Sequence, residues 1–164
     1  MPLPILLVVG GIACAVSVAA VLLLWARIVH FLLNVLVPWV RNTLGNGTAD
    51  LFSTLISWFD KAIVPPFTVL QSGWRFFTYG IWSIRTWFTK SEGKSAKAWT
   101  ETVMSTGVRT VTEEVIDYKD LPAEVRDALL APAAAPVELD LKGAIRKRME
   151  ERAYEDGIPL AYLG

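Results

Sequence analysis

The chain has 164 residues, of which 53% are apolar and 20% charged, and its formal net charge is zero. Residues 1–90 carry six Lys or Arg against two Asp, whereas residues 91–164 carry ten basic against fourteen acidic residues. This distribution argues against a nucleic-acid-binding protein, and basic residues beside apolar segments suit an anionic lipid surface.

The first element in chain order is an apolar run, Ile5 to Leu24, that contains no charged residue and one hydroxyl group, on Ser17. About 20 apolar residues in a helix cross a hydrocarbon core of roughly 30 Å, and a helix satisfies its own backbone groups inside lipid. The run is longer than the apolar core of a secretory signal, roughly 7–15 residues, and no basic residue precedes it. We therefore expect an uncleaved transmembrane anchor, whose helix can continue to Val37 because Pro38 is the first strong helix breaker.

Small residues recur at four-residue intervals within this run, at Gly11, Ala15 and Ala19. This spacing lets two helix backbones approach closely in a membrane, where packing rather than hydrophobicity drives association. We expect this face to pack on a second copy of the chain or on a different protein. The single cysteine, Cys14, lies in the same run, so an internal disulfide bond is excluded.

Beyond the anchor, four polar residues share one face of the predicted helix, namely Arg27, His30, Asn34 and Arg41. Their spacing places them within about 60° of one another around the helix axis. One interpretation is an interfacial extension whose polar stripe points to head groups or water. The other is a stripe that lines an aqueous passage or an oligomer interface.

Residues 45–90 predict two further helices that associate with the membrane. Gly45-Asn46-Gly47 is a turn, Thr48 can cap the next helix, and the apolar residues from Leu51 to Ile63 share one face of that helix. After Pro65-Pro66, apolar residues repeat at alternating spacings of three and four, which is typical of a helix seam that packs on a neighbouring helix. The seam consists of Phe67, Leu70, Trp74, Phe77, Ile81, Ile84 and Phe88.

Two arginines, Arg75 and Arg85, lie opposite this seam. A mid-membrane arginine costs about 2.5–3.5 kcal/mol on the insertion scale. We therefore expect the helix of residues 67–88 to lie in the membrane interface or in a helix bundle, with a second membrane span as the alternative.

The chain becomes hydrophilic after Lys90. Residues 95–118 are ambiguous, because Trp99 and Val103 suit a short helix whereas Val108 to Tyr118 is rich in Val and Thr and suits a strand. A helix is predicted from Pro122 to Leu130. Residues 131–136 predict an Ala/Pro linker, and a charged helix with few apolar positions follows and is ended by Gly157.

The sequence displays no catalytic chemistry. His30 is the only histidine, so a Ser-His-Asp triad could be built only around it, and one histidine with one cysteine cannot form a Cys/His metal site. Neither a phosphate loop nor a dinucleotide-binding fingerprint is present. We predict no catalytic, cofactor-binding or metal-binding residues, and no enzymatic activity.

Together these patterns predict a mainly α membrane protein. It would have one long N-terminal transmembrane helix, two amphipathic or interfacial helices of which the second could span, and a soluble tail of short helices and extended segments. The predicted boundaries are 1–44 for the anchor helix with its interfacial extension, 45–90 for the aromatic-rich membrane-associated helices, 91–130 for the soluble tail, 131–136 for the linker, and 137–164 for the charged helix and end peptide.

Two functional hypotheses follow. The first is a non-enzymatic membrane-anchored structural or assembly subunit of a larger membrane complex, which contacts lipid and other subunits, possibly copies of itself, and holds a soluble protein through its C-terminal tail. The second is an oligomeric pore, a holin-like protein or a channel-accessory protein. Because Arg27 and Arg41 follow the apolar run, we expect the N-terminus outside and the tail on the cytoplasmic side, or on the equivalent inner side of a virion or organelle.

Overall fold

A computed structural model describes residues 18–61, 63–131, 137–159 and 161. The α-helices are α1 (Val18–Phe31), α2 (Val37–Leu44), α3 (Asn46–Lys61), α4 (Phe67–Arg75), α5 (Ala123–Leu130) and α6 (Leu141–Glu155). The strands are β1 (Ile81–Lys90), β2 (Ser95–Met104), β3 (Arg109–Asp117) and β4 (Val137–Asp140). One π-helical turn, Leu32–Leu36, joins α1 to α2, a second, Phe76–Gly80, joins α4 to β1, and a 3-10 turn, Tyr118–Asp120, follows β3.

The fold is mixed α/β, so the prediction of a mainly α protein is wrong. The four strands form one antiparallel sheet in the order β3-β2-β1-β4. The helix predicted for residues 67–88 ends at Gly80, and Ile81 begins a strand. Side chains alternate between the two faces of a strand, and buried residues of β1 occupy both faces, for example Ile84 on one and Trp87 on the other. A central strand buried on both faces lacks a clear period of two, so its apolar spacing matched a helix seam by coincidence.

The ambiguous residues 95–118 form two strands, β2 and β3. The helical interpretation of Trp99 and Val103 is wrong, whereas the strand interpretation of the Val- and Thr-rich segment is confirmed. These residues pair antiparallel without interruption from Ser95 opposite Asp117 to Val103 opposite Arg109. The predicted helix that ends at Leu130 is confirmed as α5, and the predicted linker, residues 131–136, lies mostly outside the described residues.

The described chain divides into two compact units. One unit, called the sheet unit, is built on Ser83–Val103 and Val108–Lys142 and includes the described residues up to Trp25. The other, called the helical unit, is built on Ala26–Trp82, Met104–Gly107 and the described chain from Gly143 onward. Each unit is therefore assembled from separate stretches of sequence. The predicted domain boundaries at residues 44, 90 and 136 stay a prediction.

In the helical unit, every fourth residue from Ile28 to Val40 is buried. These residues are Ile28, Leu32, Leu36 and Val40. The backbone N–H of Val37 donates to the carbonyl of Leu32, five residues earlier, which defines the π-helical turn. This turn ends at Leu36, and Pro38 is the second residue of α2, in its first turn, where a missing N–H costs little. The π-helical turn thus lets the helical path continue past a proline.

Helices α3 and α4 pack at close range. A Cβ atom on Gly73 would lie 3.0 Å from the carbonyl oxygen of Leu51 and 3.2 Å from the Cβ of Leu55, so only glycine fits this helix contact without a shift. The ring of Phe52 stacks on Phe77 with centroids 6.2 Å apart and meets Phe76 edge-on at 5.6 Å. Stacked and edge-on pairs of aromatic rings stabilise a core beyond the burial of their apolar area.

On one face of the sheet, β1 and β4 bury a group of side chains together. Phe88 lies opposite Val137, and Thr86 lies opposite Leu139, so these side chains of β1 and β4 share a face and are buried there. Helix α5 lies against β4 and buries Val125 and Leu129. These residues form part of the core of the unit.

The end of α6 is linked to α3 by a part-buried hydrogen bond. The indole Nε1 of Trp58 donates to Asp156 Oδ2 at 2.8 Å, and Arg152 lies 3.5 Å from the other carboxylate oxygen. The helix ends in a Schellman motif, because the N–H of Gly157 donates to the carbonyl of Tyr154 and that of Ile158 to Ala153. The predicted helix end at Gly157 is therefore confirmed, with φ of 68°.

One described helical run, Leu24–Leu44, is long and apolar enough to cross a membrane by length and composition, and 33% of its most apolar window is buried. A signal sequence and the core helix of a soluble protein can share these properties. Most of the predicted anchor, Ile5 to Leu24, lies outside the described residues. The transmembrane helix therefore stays a prediction.

The Asp156 carboxylate provides a first test of this fold. Asp156→Ala leaves the buried Trp58 indole N–H without its acceptor, and we expect a loss of about 1–3 kcal/mol in the free energy of unfolding. Chemical denaturation of the full chain, followed by tryptophan fluorescence, measures this loss.

The matched control is Glu155→Ala, because Glu155 is 61% exposed and contacts the same arginine at 3.6 Å. An exposed ion pair contributes about 0.2–1 kcal/mol, so this variant should remain close to the parent. Equal losses in the two variants would contradict the assignment of the Trp58–Asp156 hydrogen bond as a stabilising contact.

Candidate functional site

The predicted polar stripe extends from α1 into α2. Arg27, His30 and Asn34 are exposed on this helical path. The side-chain amide of Asn34 donates to the backbone carbonyl of His30 at 3.0 Å and lies 3.2 Å from its Nδ1 atom. The structure therefore brings His30 and Asn34 into direct contact.

Arg41, the fourth residue of the stripe, connects α2 to α3. Its Nη1 and Nη2 atoms donate to Asn46 Oδ1 and Asp50 Oδ1, each at 3.0 Å. Its carbonyl accepts from the N–H of Gly45, whose φ of 97° requires the left-handed conformation that glycine adopts most readily. The contacts of Arg41 therefore stabilise the turn between two helices, and α3 begins at Asn46 rather than after the predicted cap Thr48.

The predicted packing residues differ in where they lie in the structure. Gly11 and Ala15 lie outside the described residues, whereas Ala19 lies in α1. Six of the seven seam residues are buried within the chain, namely Leu70, Trp74, Phe77, Ile81, Ile84 and Phe88. Phe67 is exposed. The seam therefore finds its neighbours in its own chain and does not require a helix from a partner.

A short apolar loop between α3 and α4 is exposed. Ile63, Val64 and Phe67 are all accessible, Val64 to 70%, and Pro65 and Pro66 lie between them. Contiguous exposed apolar residues of this kind mark membrane or protein contacts more often than isolated ones do. Sequence reasoning missed this loop, because it assigned Ile63 to a helix face and Phe67 to the seam.

The sheet carries an ion network that crosses all four strands. Arg85 on β1 lies 3.0 Å from Glu101 on β2 and 3.5 Å from Glu138 on β4. The second carboxylate oxygen of Glu101 lies 3.5 Å from Arg109 on β3. We call these four residues the cross-sheet ion network. Its charges alternate in sign from β4 through β1 and β2 to β3.

Glu101 is the buried centre of this network, with 5% of its side chain exposed. A buried carboxylate needs paired charges to offset its desolvation, and two guanidinium groups supply them here. A one-residue slip of any strand would move its member to the other face, so the network favours a single register. In the sequence, Arg85 is 16 residues from Glu101 and 53 residues from Glu138. Because these partners are distant, sequence reasoning treated Arg85 only as a cost of membrane insertion.

Among the residues that the structure describes, no group of three His, Cys, Asp or Glu side chains could hold a metal ion. In the cross-sheet ion network, both carboxylates are paired with arginine side chains.

No protein-family model, curated protein or solved structure matches the chain significantly.

The cross-sheet ion network predicts an unequal response to carboxylate removal. Glu101→Ala leaves two guanidinium groups without their shared partner, so we expect a loss of about 1–3 kcal/mol in the free energy of unfolding. Denaturant unfolding of the full chain, monitored by circular dichroism, measures the loss.

Asp117→Ala is the control on the same sheet, because Asp117 is exposed and its ion pair with Lys119 is 4.0 Å long. This variant should differ little from the parent. If Glu101→Ala were as stable as Asp117→Ala, the network would not contribute to the stability of the sheet.

Proposed function

We propose that this chain is a non-enzymatic, membrane-anchored structural or assembly subunit of a larger membrane complex, and that its folded α/β part holds a soluble partner protein. The apolar run Ile5 to Leu24 fixes the chain in the bilayer. The described residues beyond Leu24 fold next to the membrane.

The observation that carries this proposal is the limited burial of the helical run Leu24–Leu44. Its composition is that of a membrane or core helix, yet only 33% of its most apolar window is buried within the chain. The most exposed side chains of this run are largely polar, but Val29, Leu33 and Val35 are only partly buried. Apolar surface left in water costs about 25 cal/mol per Å². Contact with lipid or with another subunit removes that cost.

The exposed loop from Ile63 to Phe67 supports the same interpretation. Phe67 is aromatic, Val64 and Ile63 are aliphatic, and none of the five residues is charged. We propose that this loop contacts the membrane interface, where exposed apolar and aromatic side chains are stable. The C-terminal tail lies on the cytoplasmic or equivalent inner side.

The first prediction of this proposal concerns membrane association. The full chain should remain in the membrane pellet after alkaline carbonate extraction, and a variant without residues 1–24 should move to the supernatant or to a weakly bound fraction. The reason is that the deletion removes the uninterrupted apolar run, which supplies most of the transfer free energy.

The control is replacement of Val64 and Phe67 by Ser in the full chain, which removes the exposed loop but keeps the anchor. This variant should still pellet. Recovery of the parent chain in the soluble fraction would contradict the anchor. In sealed cells, protease should leave the C-terminus intact, and its digestion from outside would reverse the proposed orientation.

The outer surface of α6 is the part of the tail that is available to a soluble partner. Ile145, Met149 and Ala153 are buried, whereas Tyr154 is 88% exposed. An aromatic residue this exposed is a good anchor for a protein contact. We propose that the partner binds around Tyr154, because the buried residues of α6 and strand β4 belong to the fold and are unavailable.

A second prediction tests partner binding without unfolding the tail. Tyr154→Ala should reduce the amount of soluble subunit that copurifies in mild detergent by about tenfold or more, since an aromatic hot spot contributes roughly 2 kcal/mol. Native mass spectrometry of the purified complex measures this ratio.

The matched control is Tyr79→Ala, because Tyr79 is also an exposed tyrosine but lies outside the tail. It should leave the complex intact. A monodisperse parent protein that copurifies with no partner would contradict the assembly role. Ion conductance by the purified chain in liposomes would instead favour a pore, for which the exposed Arg27, His30 and Asn34 are the relevant observation.

A further inference from the structure

The outer edge of β3 is open among the described residues. β3 is the terminal strand of the sheet and pairs with β2 alone. Its residues are mostly accessible, including Arg109, Glu113 and Val115, the last at 61%. Every second residue of such a strand directs its backbone N–H and carbonyl away from the sheet. This edge can therefore accept another strand.

The edge carries charged residues such as Arg109 and Glu113, but it lacks several other features that usually prevent pairing between sheets. Natural edges are often short, bulged, or protected by proline or lysine. β4, at the other edge, has four residues, but β3 has nine, contains neither proline nor lysine, and pairs with β2 one residue to one residue without a bulge. The edge of β3 can therefore pair with another strand.

The sequence of this edge is complementary to itself when read in opposite directions. Residues 109–113 read Arg-Thr-Val-Thr-Glu. In an antiparallel pair of two copies with Val111 opposite Val111, Arg109 lies opposite Glu113 twice and Thr110 lies opposite Thr112 twice. Opposite charges and threonine pairs directly across two strands both stabilise a sheet.

Alternative registers lose this complementarity. With Glu113 opposite Glu113, Arg109 lies opposite Asp117 twice, but two like charges face each other at the centre, which destabilises a strand pair. With Thr112 at the centre, Arg109 faces Val115 and Glu113 faces Val111, so neither charge is paired. Of these three registers, the one with Val111 at the centre pairs Arg109 and Glu113 with opposite charges and sets no like charges against each other.

Arg109 and Glu113 are suited to this contact as they stand. Side chains 109, 111 and 113 share one face of the strand, as do the residues opposite them. Arg109 uses its Nη1 atom toward Glu101, and a guanidinium group has further N–H donors to offer. The Glu113 side chain is exposed to solvent.

We propose that β3 pairs antiparallel with β3 of a second copy of this chain, with Val111 opposite Val111, so that two four-stranded sheets form one continuous sheet of eight strands. The cross-sheet ion network then continues from Arg109 to Glu113 of the second copy. This contact is separate from the anchor and from the Tyr154 surface, so it does not rest on the proposed function.

Charge exchange tests this proposal. Arg109→Glu and Glu113→Arg each place like charges opposite one another at two positions, and each should raise the dimer dissociation constant of the full chain in mild detergent by about tenfold or more. The double variant, Arg109→Glu with Glu113→Arg, restores both opposite-charge pairs and should dimerise like the parent. Analytical ultracentrifugation measures the three constants.

Asp117→Arg is the control, because Asp117 lies on the same strand and face but outside the paired residues, and it should leave the dimer unchanged. A monomeric parent chain would overturn the proposal. Dissociation of both single variants without rescue in the double variant, together with no crosslinking through Val111→Cys, would also overturn it.

Crosslinking tests the register independently of charge and of the effect of Arg109→Glu on Glu101. In a Cys14→Ala background, Val111→Cys should form a covalent dimer on mild oxidation, because the two cysteines face each other across the symmetry axis. Thr110→Cys alone should crosslink poorly, whereas a mixture of Thr110→Cys and Thr112→Cys chains should crosslink well. Efficient crosslinking by Thr110→Cys alone with none by Val111→Cys would contradict the proposed register.

Discussion

The antiparallel pairing of β1 with β4 is the contact on which the sheet unit depends. β1 is central in the sheet, and β4 completes it from a distant part of the sequence, with Phe88 opposite Val137 and Arg85 opposite Asp140. Pairing of this kind satisfies the backbone groups of a strand that is buried on both faces. The same pairing brings Glu138 to Arg85 and so extends the cross-sheet ion network to the fourth strand.

Local signals in the sequence predicted several helices correctly. The apolar face of α3 includes Phe52, Leu55, Ile56 and Phe59, all of which are buried as the spacing of the residues indicates. Pro65-Pro66 separates α3 from α4, and Gly157 ends α6. These features depend on residues within one or two helical turns, which is the range over which spacing, proline and glycine act.

The sheet was harder to predict because its evidence is distributed over distant residues. Trp87 and Ile84 are buried on opposite faces of β1, so this strand resembles a uniformly apolar helix segment. The threonine hydroxyls of Thr86 and Thr100 meet at 2.7 Å only after β1 and β2 have paired. Glu101 resembled one charge among many in a solvated tail until its two arginine neighbours were known.

The contact surfaces show the same division between local and distant information. The polar stripe could be recognised from spacing alone, since Arg27, His30 and Asn34 lie on one helix and are exposed. The sequence did not show which segment covers the seam. Gly73, beside the seam, contacts α3 of the same chain, and this contact has no signature in the spacing of residues in α4. Spacing identifies a face that needs a neighbour but does not identify which segment provides it.

The position of β4 in the sequence has a consequence for synthesis on the ribosome. Arg85 and Glu138 are 53 residues apart, so β1 leaves the ribosome well before its partner strand is translated. During that interval the hydrogen-bonding edge of β1 is open, and the indole of Trp87 and the ring of Phe88 lack part of their final surroundings. Contacts between distant residues form slowly, and transiently open strands favour aggregation. The nascent chain is thus most prone to aggregation in the period between the emergence of β1 and the emergence of β4.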